Sequence, residues 1–211
     1  MLLGESVWNK PARYFLSGWM FQWTMSLVMH HLNSRFIRRA ISFALAVIVP
    51  GIVLVMLAAN LIIPVGYQAE MYGIRMLKTV LYILFFLMMV WICLLFFIQR
   101  KNPRSQHYTW GLRMALLIFT GSLLLGLVMH YLGTYTVGGL DGSPGIPLFN
   151  WSKKYGDLRL VLFMGLHALQ IIPLLSHYLF EKKKQVVFFS LIYLMLVFAA
   201  LFFTLLSQSF F

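Results

Sequence analysis

Side chains that could bind a ligand or move a proton are concentrated between His130 and Gln170. The stretch starts at His130, continues through a glycine-rich segment that contains Asp141, and ends in an apolar run that contains His167. Imidazole can act as an acid or base near neutral pH, and carboxylates can position polar groups. The candidates for ligand binding or proton relay are therefore His167, Gln170, His130, Asp157, Arg159 and Asp141, together with Asn60 from an earlier apolar run.

His167 is the sharpest of these candidates. Counted from Leu158 at about 1.5 Å per residue, it lies about 13 Å into the apolar run, near the middle of a bilayer. Gln170 follows one turn later and shares its helix face. An ionisable side chain at that depth indicates function, whereas the alternative is a neutral histidine that hydrogen-bonds a neighbouring helix. Both interpretations stay open.

Asp157 and Arg159 also have two interpretations. Asp157 directly precedes the apolar run and is predicted to cap the N-terminus of a helix. Arg159 is predicted to extend to the outer lipid headgroups. Alternatively, the two side chains belong to a charged outer vestibule that binds a ligand or relays a proton.

The spacing of the histidines disfavours a haem or metal protein. His130 lies about 3 Å inside the membrane boundary and roughly 10 Å above His167, so the two are poorly placed as axial ligands of one haem. Zinc would need further ligands, for which only Asp141, Asp157 and Asn60 are available. Cys93 is the single cysteine, which excludes an intramolecular disulfide and a cysteine metal cluster. We expect no cofactor and no metal, and no role for the histidines nearer the helix ends, His30, His31, His107 and His177.

Composition shows which elements must position these side chains. Hydrophobic residues make up 61% of the 211-residue chain and charged residues 10%, far below the roughly one quarter that is usual in soluble domains. The basic residues behind the net charge of +12 form short clusters between apolar runs, which argues against nucleic-acid binding. A membrane-spanning helix needs roughly 20 mostly apolar residues. The chain offers such segments at about 14–32, 41–63, 79–98, 109–132, 158–180 and 186–208.

The predicted fold is an all-α integral membrane protein with a single domain over residues 1–211. It is a bundle of six transmembrane helices, or of five if the segment 14–32, with its polar residues and aromatic rings, lies along the membrane surface. Pro50-Gly51 predicts a kink or local break in its helix. The nearly uniform segments 79–98 and 186–208 are predicted to face lipid, whereas 41–63, 109–132 and 158–180 carry polar groups and should face the protein interior.

Basic clusters predict the orientation of the chain. One cluster precedes the segment 41–63, another follows 79–98 and a third follows 158–180; they comprise Arg35, Arg38, Arg39, Arg100, Lys101, Arg104, Lys182, Lys183 and Lys184. The positive-inside rule places all of them in the cytoplasm. The loop 133–157 and the C-terminus are then outside. The loop is dense in glycine, with turns at Asp141-Gly142 and Ser143-Pro144-Gly145, and is expected to form an ordered lid.

The stretch after this loop resembles a group of bacterial multi-pass membrane proteins of uncharacterised activity. The matching residues are Gly156 to Arg159 (GDLR) and, in the following helix, Phe163 and Gly165 to Gln170 (F-x-GLHALQ). One departure is Leu162, where the group has a second histidine. The resemblance covers about a quarter of the chain and implies a bacterial inner membrane, but no activity.

Two functions remain at this stage. The favoured hypothesis is a small transporter-like or accessory membrane subunit with an outer-facing polar pocket, partnered by the lipid bilayer and by copies of itself or other membrane subunits. The absence of GxSxG, HExxH and phosphate-loop motifs favours this non-enzymatic hypothesis. The alternative is a membrane-embedded enzyme that acts on a lipid or quinone, with His167 or His130 as acid and base.

Overall fold

The part of the chain that the structure describes is helical apart from one small two-stranded sheet and short connections. The computed structural model describes residues 9–62, 68–98, 106–141, 145–146, 151–152 and 154–206, without the side chains of 9–11, 60–62 and 68–71. The helices are α1 (Asn9–Met29), α2 (Arg35–Ile62), α3 (Gln68–Ile98), α4 (Gln106–Leu132), α5 (Leu158–Tyr178) and α6 (Lys183–Leu206). Between α4 and α5 lie the strands β1 (Thr136–Val137) and β2 (Gly156–Asp157), which pair in antiparallel fashion.

The predicted segments correspond to these helices, with one large difference in a boundary. The apolar segment was predicted to begin at 79, but α3 begins at Gln68. The additional turns contain the charged residues Glu70, Arg75 and Lys78, so an apolar segment cannot be recognised there. A helix nevertheless accommodates charged residues where it extends beyond the hydrocarbon. The helices α2 to α6 are each long and apolar enough to cross a membrane, and α1 is not among them. The chain is therefore a multi-pass membrane protein.

Contacts group the chain into two units, Met1–Trp91 and Ile92–Phe211. In the first unit, α1 and α2 form an antiparallel pair. A Cβ atom on Gly18 would lie 3.2 Å from Val49 Cγ1, so the two helices approach closely there. Nearer the turn, Gln22 Nε2 donates a hydrogen bond of 3.0 Å to the Leu45 carbonyl. The local break predicted at Pro50 is wrong, because α2 continues through this residue.

The second unit is built on the close antiparallel packing of α4 and α5. A Cβ atom on Gly165 would lie 2.5 Å from Ser122 Cβ, and one on Gly111 would lie 2.7 Å from Ser176 Cβ. Both serine hydroxyls are buried and each donates to the carbonyl four residues earlier in its own helix. The glycines thus let the two backbones approach, and the serines fill the gap without leaving a polar atom unsatisfied. The surrounding core is fully buried and consists of Leu112, Ala115, Leu116, Ala168, Leu169 and Ile172.

The helices differ in burial largely as predicted. In the most apolar window of each helix, 44% of residues are buried in α4 and 39% in α5, against 17% in both α3 and α6. This agrees with interior positions for α4 and α5 and lipid-facing positions for α3 and α6. In α2, 22% of the window is buried, while Ser42 lines a cleft against α1. Its polar residues lie close to its two ends, so little of its apolar middle requires protein contact.

Candidate functional site

The loop between α4 and α5 folds into a cap over the end of the helix pair where α4 ends and α5 begins. Its first residue, Gly133, adopts φ +70° and donates its N–H to the Met129 carbonyl, which ends α4 in the left-handed conformation that glycine favours. The strands follow, with Thr136 opposite Asp157 and Val137 opposite Gly156. A second pairing joins Gly145 to Ser152. The prediction of an ordered loop is thus supported where the loop is described, although 142–144, 147–150 and 153 lie outside those residues.

Asp157 is the central hydrogen-bond acceptor of this cap. It is 5% exposed and is the N-cap residue of α5, accepting the Arg159 N–H at 3.0 Å. Its other carboxylate oxygen accepts the Ser152 N–H at 2.9 Å. The predicted N-cap function is confirmed. The same carboxylate also binds the loop segment that contains Ser152.

The side chain of Arg159 turns back onto Asp157. Its Nε donates to Asp157 Oδ1 at 2.9 Å and its Nη2 to Oδ2 at 2.6 Å, a two-pronged ion pair. Its guanidinium carbon lies 3.8 Å from the centre of the Tyr135 ring. Planar stacking and paired hydrogen bonds are geometries that arginine can satisfy together. The side chain of Arg159 thus contacts Asp157 and Tyr135 within the cap, and its contact with lipid headgroups stays a prediction.

Asp141 organises the other half of the cap. It accepts the Thr136 N–H at 2.8 Å and, more weakly, the Tyr135 N–H and the Thr134 hydroxyl. These donors lie between the end of α4 and the first residue of β1, Thr136, so the carboxylate closes the segment from 134 to 141 on itself. Both acidic residues of the described loop therefore hold backbone amides, and a role in ligand binding stays a prediction for each.

An aromatic column connects the cap to His167. Trp151, on the loop, packs edge-on against Phe163 with ring centres 5.3 Å apart. Phe163 in turn lies 3.9 Å from the His167 ring, centre to centre. Because Phe163 and His167 are four residues apart, they occupy the same face of α5. Trp151 of the loop thus packs against Phe163, the ring that contacts His167 on that face.

The hydrogen bond of His167 determines which of its nitrogens is free to act. Nδ1 lies 2.8 Å from the Phe163 carbonyl oxygen, which can only accept. The proton of the neutral ring is therefore assigned to Nδ1, and the lone pair to Nε2. The ring is half-buried, on the face that includes the exposed side chains of Leu160, Phe163 and Leu174. Gln170 is also half-buried, one turn further along.

The histidines do not converge. The contacts of Gly165 with Ser122 and of Gly126 with Leu162 set the antiparallel register of α4 and α5. In that register His130 lies level with the start of α5, roughly 13 Å of helix from His167. No three His, Cys, Asp or Glu side chains within the described ranges lie close enough to hold a metal ion. Asn60 falls in α2, but its side chain lies outside the described residues.

Sequence reasoning missed a second polar cluster, at the opposite end of the α4–α5 pair. Arg113 is 4% exposed, and its Nε donates 2.8 Å to the carbonyl of Phe96, one of the last carbonyls of α3. Its guanidinium also lies over the rings of Trp110 and Phe97. Lys183 Nζ lies 3.9 Å from the centre of the Trp110 ring. The available signal was a single arginine inside an otherwise apolar segment, which ordinarily indicates a specific partner.

Comparisons with known proteins do not assign the chain to a family. No family model matches the chain, and neither the curated proteins nor the solved structures include a significant match.

Proposed function

We propose that the protein is a small accessory or transporter-like membrane subunit that binds a ligand or partner through the outer half of α5. The observation that carries this proposal is the hydrogen bond between His167 Nδ1 and the Phe163 carbonyl, which in a neutral ring leaves the Nε2 lone pair on a half-buried helix face. A hydrogen-bond acceptor within an apolar span is costly in hydrocarbon unless another group donates to it. A ligand or neighbouring helix with a donor at that depth would meet this requirement, and the cap would hold Trp151 and Phe163 ready for contact.

The second candidate is an enzyme that acts on a lipid or quinone near the outer leaflet. The same Nε2 lone pair favours it, since an unprotonated imidazole nitrogen can serve as a base. In that hypothesis Asp157 and Arg159 position a polar headgroup. Their mutual hydrogen bonds argue for the binding function, because both side chains already have strong partners within the cap. A haem or metal protein is the least supported, given the separation of His130 and His167.

The proposal includes six membrane crossings with the loop 133–157 and the C-terminus outside. The antiparallel contact of α1 with α2 supports the sixth crossing, since a helix on the membrane surface would lie across α2 instead of beside it. Exposed aromatic residues on α1, Trp19 and Trp23 among them, would then face lipid. The basic clusters support the orientation. The sequence resemblance supports a bacterial inner membrane, where the partner would be another copy or another membrane subunit.

Photo-crosslinking in intact membranes tests the binding surface. A benzoylphenylalanine at Phe163 should give a discrete adduct, and the same probe at Phe202 should not. Phe202 is the matched control because it is exposed and lies at a similar distance from the outer end of α6. His167→Ala should reduce the Phe163 adduct. Identical adducts at the two positions, or no effect of His167→Ala, would contradict the proposal.

The variant His167→Gln separates binding from catalysis. Its amide retains hydrogen-bonding capacity but cannot take up a proton as imidazole does. The binding hypothesis predicts that the Phe163 adduct and the cellular function survive in His167→Gln. The enzyme hypothesis predicts that function is lost in both His167→Gln and His167→Ala while the protein stays folded in detergent.

A further inference from the structure

A cleft lies between α1 and α2, close to the turn that joins them. Its volume is about 340 Å³. Gln22 and Leu45 line the end of the cleft that lies away from the turn, where the hydrogen bond between them joins the two helices. Residues Met25 and Met29, both nearly inaccessible to solvent, also line it. The cleft is thus apolar towards the middle of the hairpin.

Polar residues line the cleft from both helices. The side chains of Gln22, Ser26 and His30 are spaced four residues apart and form one stripe along α1 and its end. From α2, Arg38, Arg39 and Ser42 line the other side. The guanidinium groups and the imidazole therefore lie close to the turn, beside Met29, whereas Met25 and Leu45 lie further from it.

The hairpin supplies no negative charge to balance these cations. Residues 9–62 contain no Asp or Glu, whereas Lys10, Arg13, Arg35, Arg38 and Arg39 are all basic. A topology signal requires only the positive charges. It does not require a cleft in which two arginines, a histidine and two serine hydroxyls converge. The cations of the cleft therefore have no carboxylate partner within residues 9–62.

We propose that this cleft binds the phosphate of an anionic phospholipid. Arg38, Arg39 and His30 would hold the phosphate, and Ser26 and Ser42 would donate to its oxygens or to a headgroup hydroxyl. The first part of an acyl chain would follow Met25 and Met29. A volume at the small end of ligand sites, which hold roughly 300–1,000 Å³, fits a headgroup and not a whole lipid. The charge gradient matches a lipid in the leaflet where the basic turn lies. This site is in the first unit and is independent of the function proposed for α5.

Native mass spectrometry of the detergent-purified full chain tests the site with lipids of matched acyl chains. Phosphatidylglycerol should bind at least about fivefold more tightly than phosphatidylethanolamine, since each well-placed arginine near a membrane surface contributes about that factor. Arg38→Gln should weaken phosphatidylglycerol binding about fivefold by the same reasoning. Arg35→Gln is the matched control: it removes the same charge from the same cluster, at a position that does not line the cleft. It should change binding by less than about twofold, as expected for an exposed charge.

A second variant fills part of the cleft with a larger side chain and leaves its charge unchanged. Ser42→Leu should weaken phosphatidylglycerol binding while keeping every cation. Equal binding of the two lipids, or equal effects of Arg38→Gln and Arg35→Gln, would overturn the proposal in favour of nonspecific attraction. Displacement of phosphatidylglycerol by millimolar inorganic phosphate would also overturn it, because a soluble phosphate compound would then be the preferred ligand.

Discussion

Asp157 should contribute more to stability than a helix cap alone, and two substitutions separate its contributions. In Asp157→Asn the side-chain oxygen can still accept the Arg159 N–H, so the cap remains. The ion pair and the Ser152 hydrogen bond are lost, because an amide NH₂ group replaces the Oδ2 atom that accepts the Ser152 N–H and the Arg159 Nη2. Hydrogen bonds to charged groups contribute about 1.5–3 kcal/mol each. Because the Arg159 side chain is 27% exposed, water replaces part of this. We expect Asp157→Asn to cost about 2 kcal/mol.

Asp157→Ala removes the cap as well. Loss of an N-cap costs about 1 kcal/mol, which gives about 3 kcal/mol in total. The assay is equilibrium unfolding in mixed micelles of mild detergent and dodecyl sulfate, with Arg159→Gln and the double variant Asp157→Asn/Arg159→Gln completing a cycle. The coupling between the two sites should be at least about 1 kcal/mol. A cost below about 0.5 kcal/mol for Asp157→Asn, or strict additivity in the cycle, would refute the reasoning.

Two further substitutions test the packing of the second unit. Gly165→Ala places a methyl group against Ser122 and should destabilise the protein by about 1–3 kcal/mol, whereas Gly121→Ala, with open space beside it, should be neutral or slightly stabilising in the same unfolding assay. An equal effect of both would mean that α4 and α5 do not approach closely. Arg113→Lys keeps the charge but loses the planar guanidinium that bonds the Phe96 carbonyl, and should cost about 1–2 kcal/mol in thermal unfolding. An unchanged unfolding temperature would show that any cation suffices there.

Much of the fold could be predicted from the sequence because the bilayer imposes strong constraints on it. An apolar segment of sufficient length must be helical to satisfy its backbone, so the spans were found even where Pro50 suggested a break. The start of α3 could not be found in this way, because a helix that extends beyond the hydrocarbon needs no apolar residues. Asp157 could be assigned as a cap because capping depends on its immediate neighbours in the chain.

The candidate site was less predictable because its geometry depends on contacts between distant residues. The position of Arg159 depends on Tyr135, which lies near the start of the loop, far from Arg159 in sequence, and is brought close to it by the β1–β2 pairing. The free nitrogen of His167 depends on its rotamer, which sequence does not specify. Arg113 was missed for the same reason, since its partner Phe96 lies at the end of the preceding helix. His30 was assigned no role, and only the packing of α1 against α2 places it in the cleft.

The orientation of the six helices is the central claim, since the outer cap and the inner lipid cleft both depend on it. On a Cys93→Ser background, single cysteines at Lys10, Lys154 and Lys184 can be treated with a membrane-impermeant maleimide in intact cells. Lys154 and Lys184 are both exposed and lie on opposite sides of α5 in the chain. We predict labelling from outside at 10 and 154, and labelling at 184 only after the membrane is permeabilised. Labelling at 184 but not at 154 in intact cells would contradict the account, and protection of 10 alone would reduce the number of crossings to five.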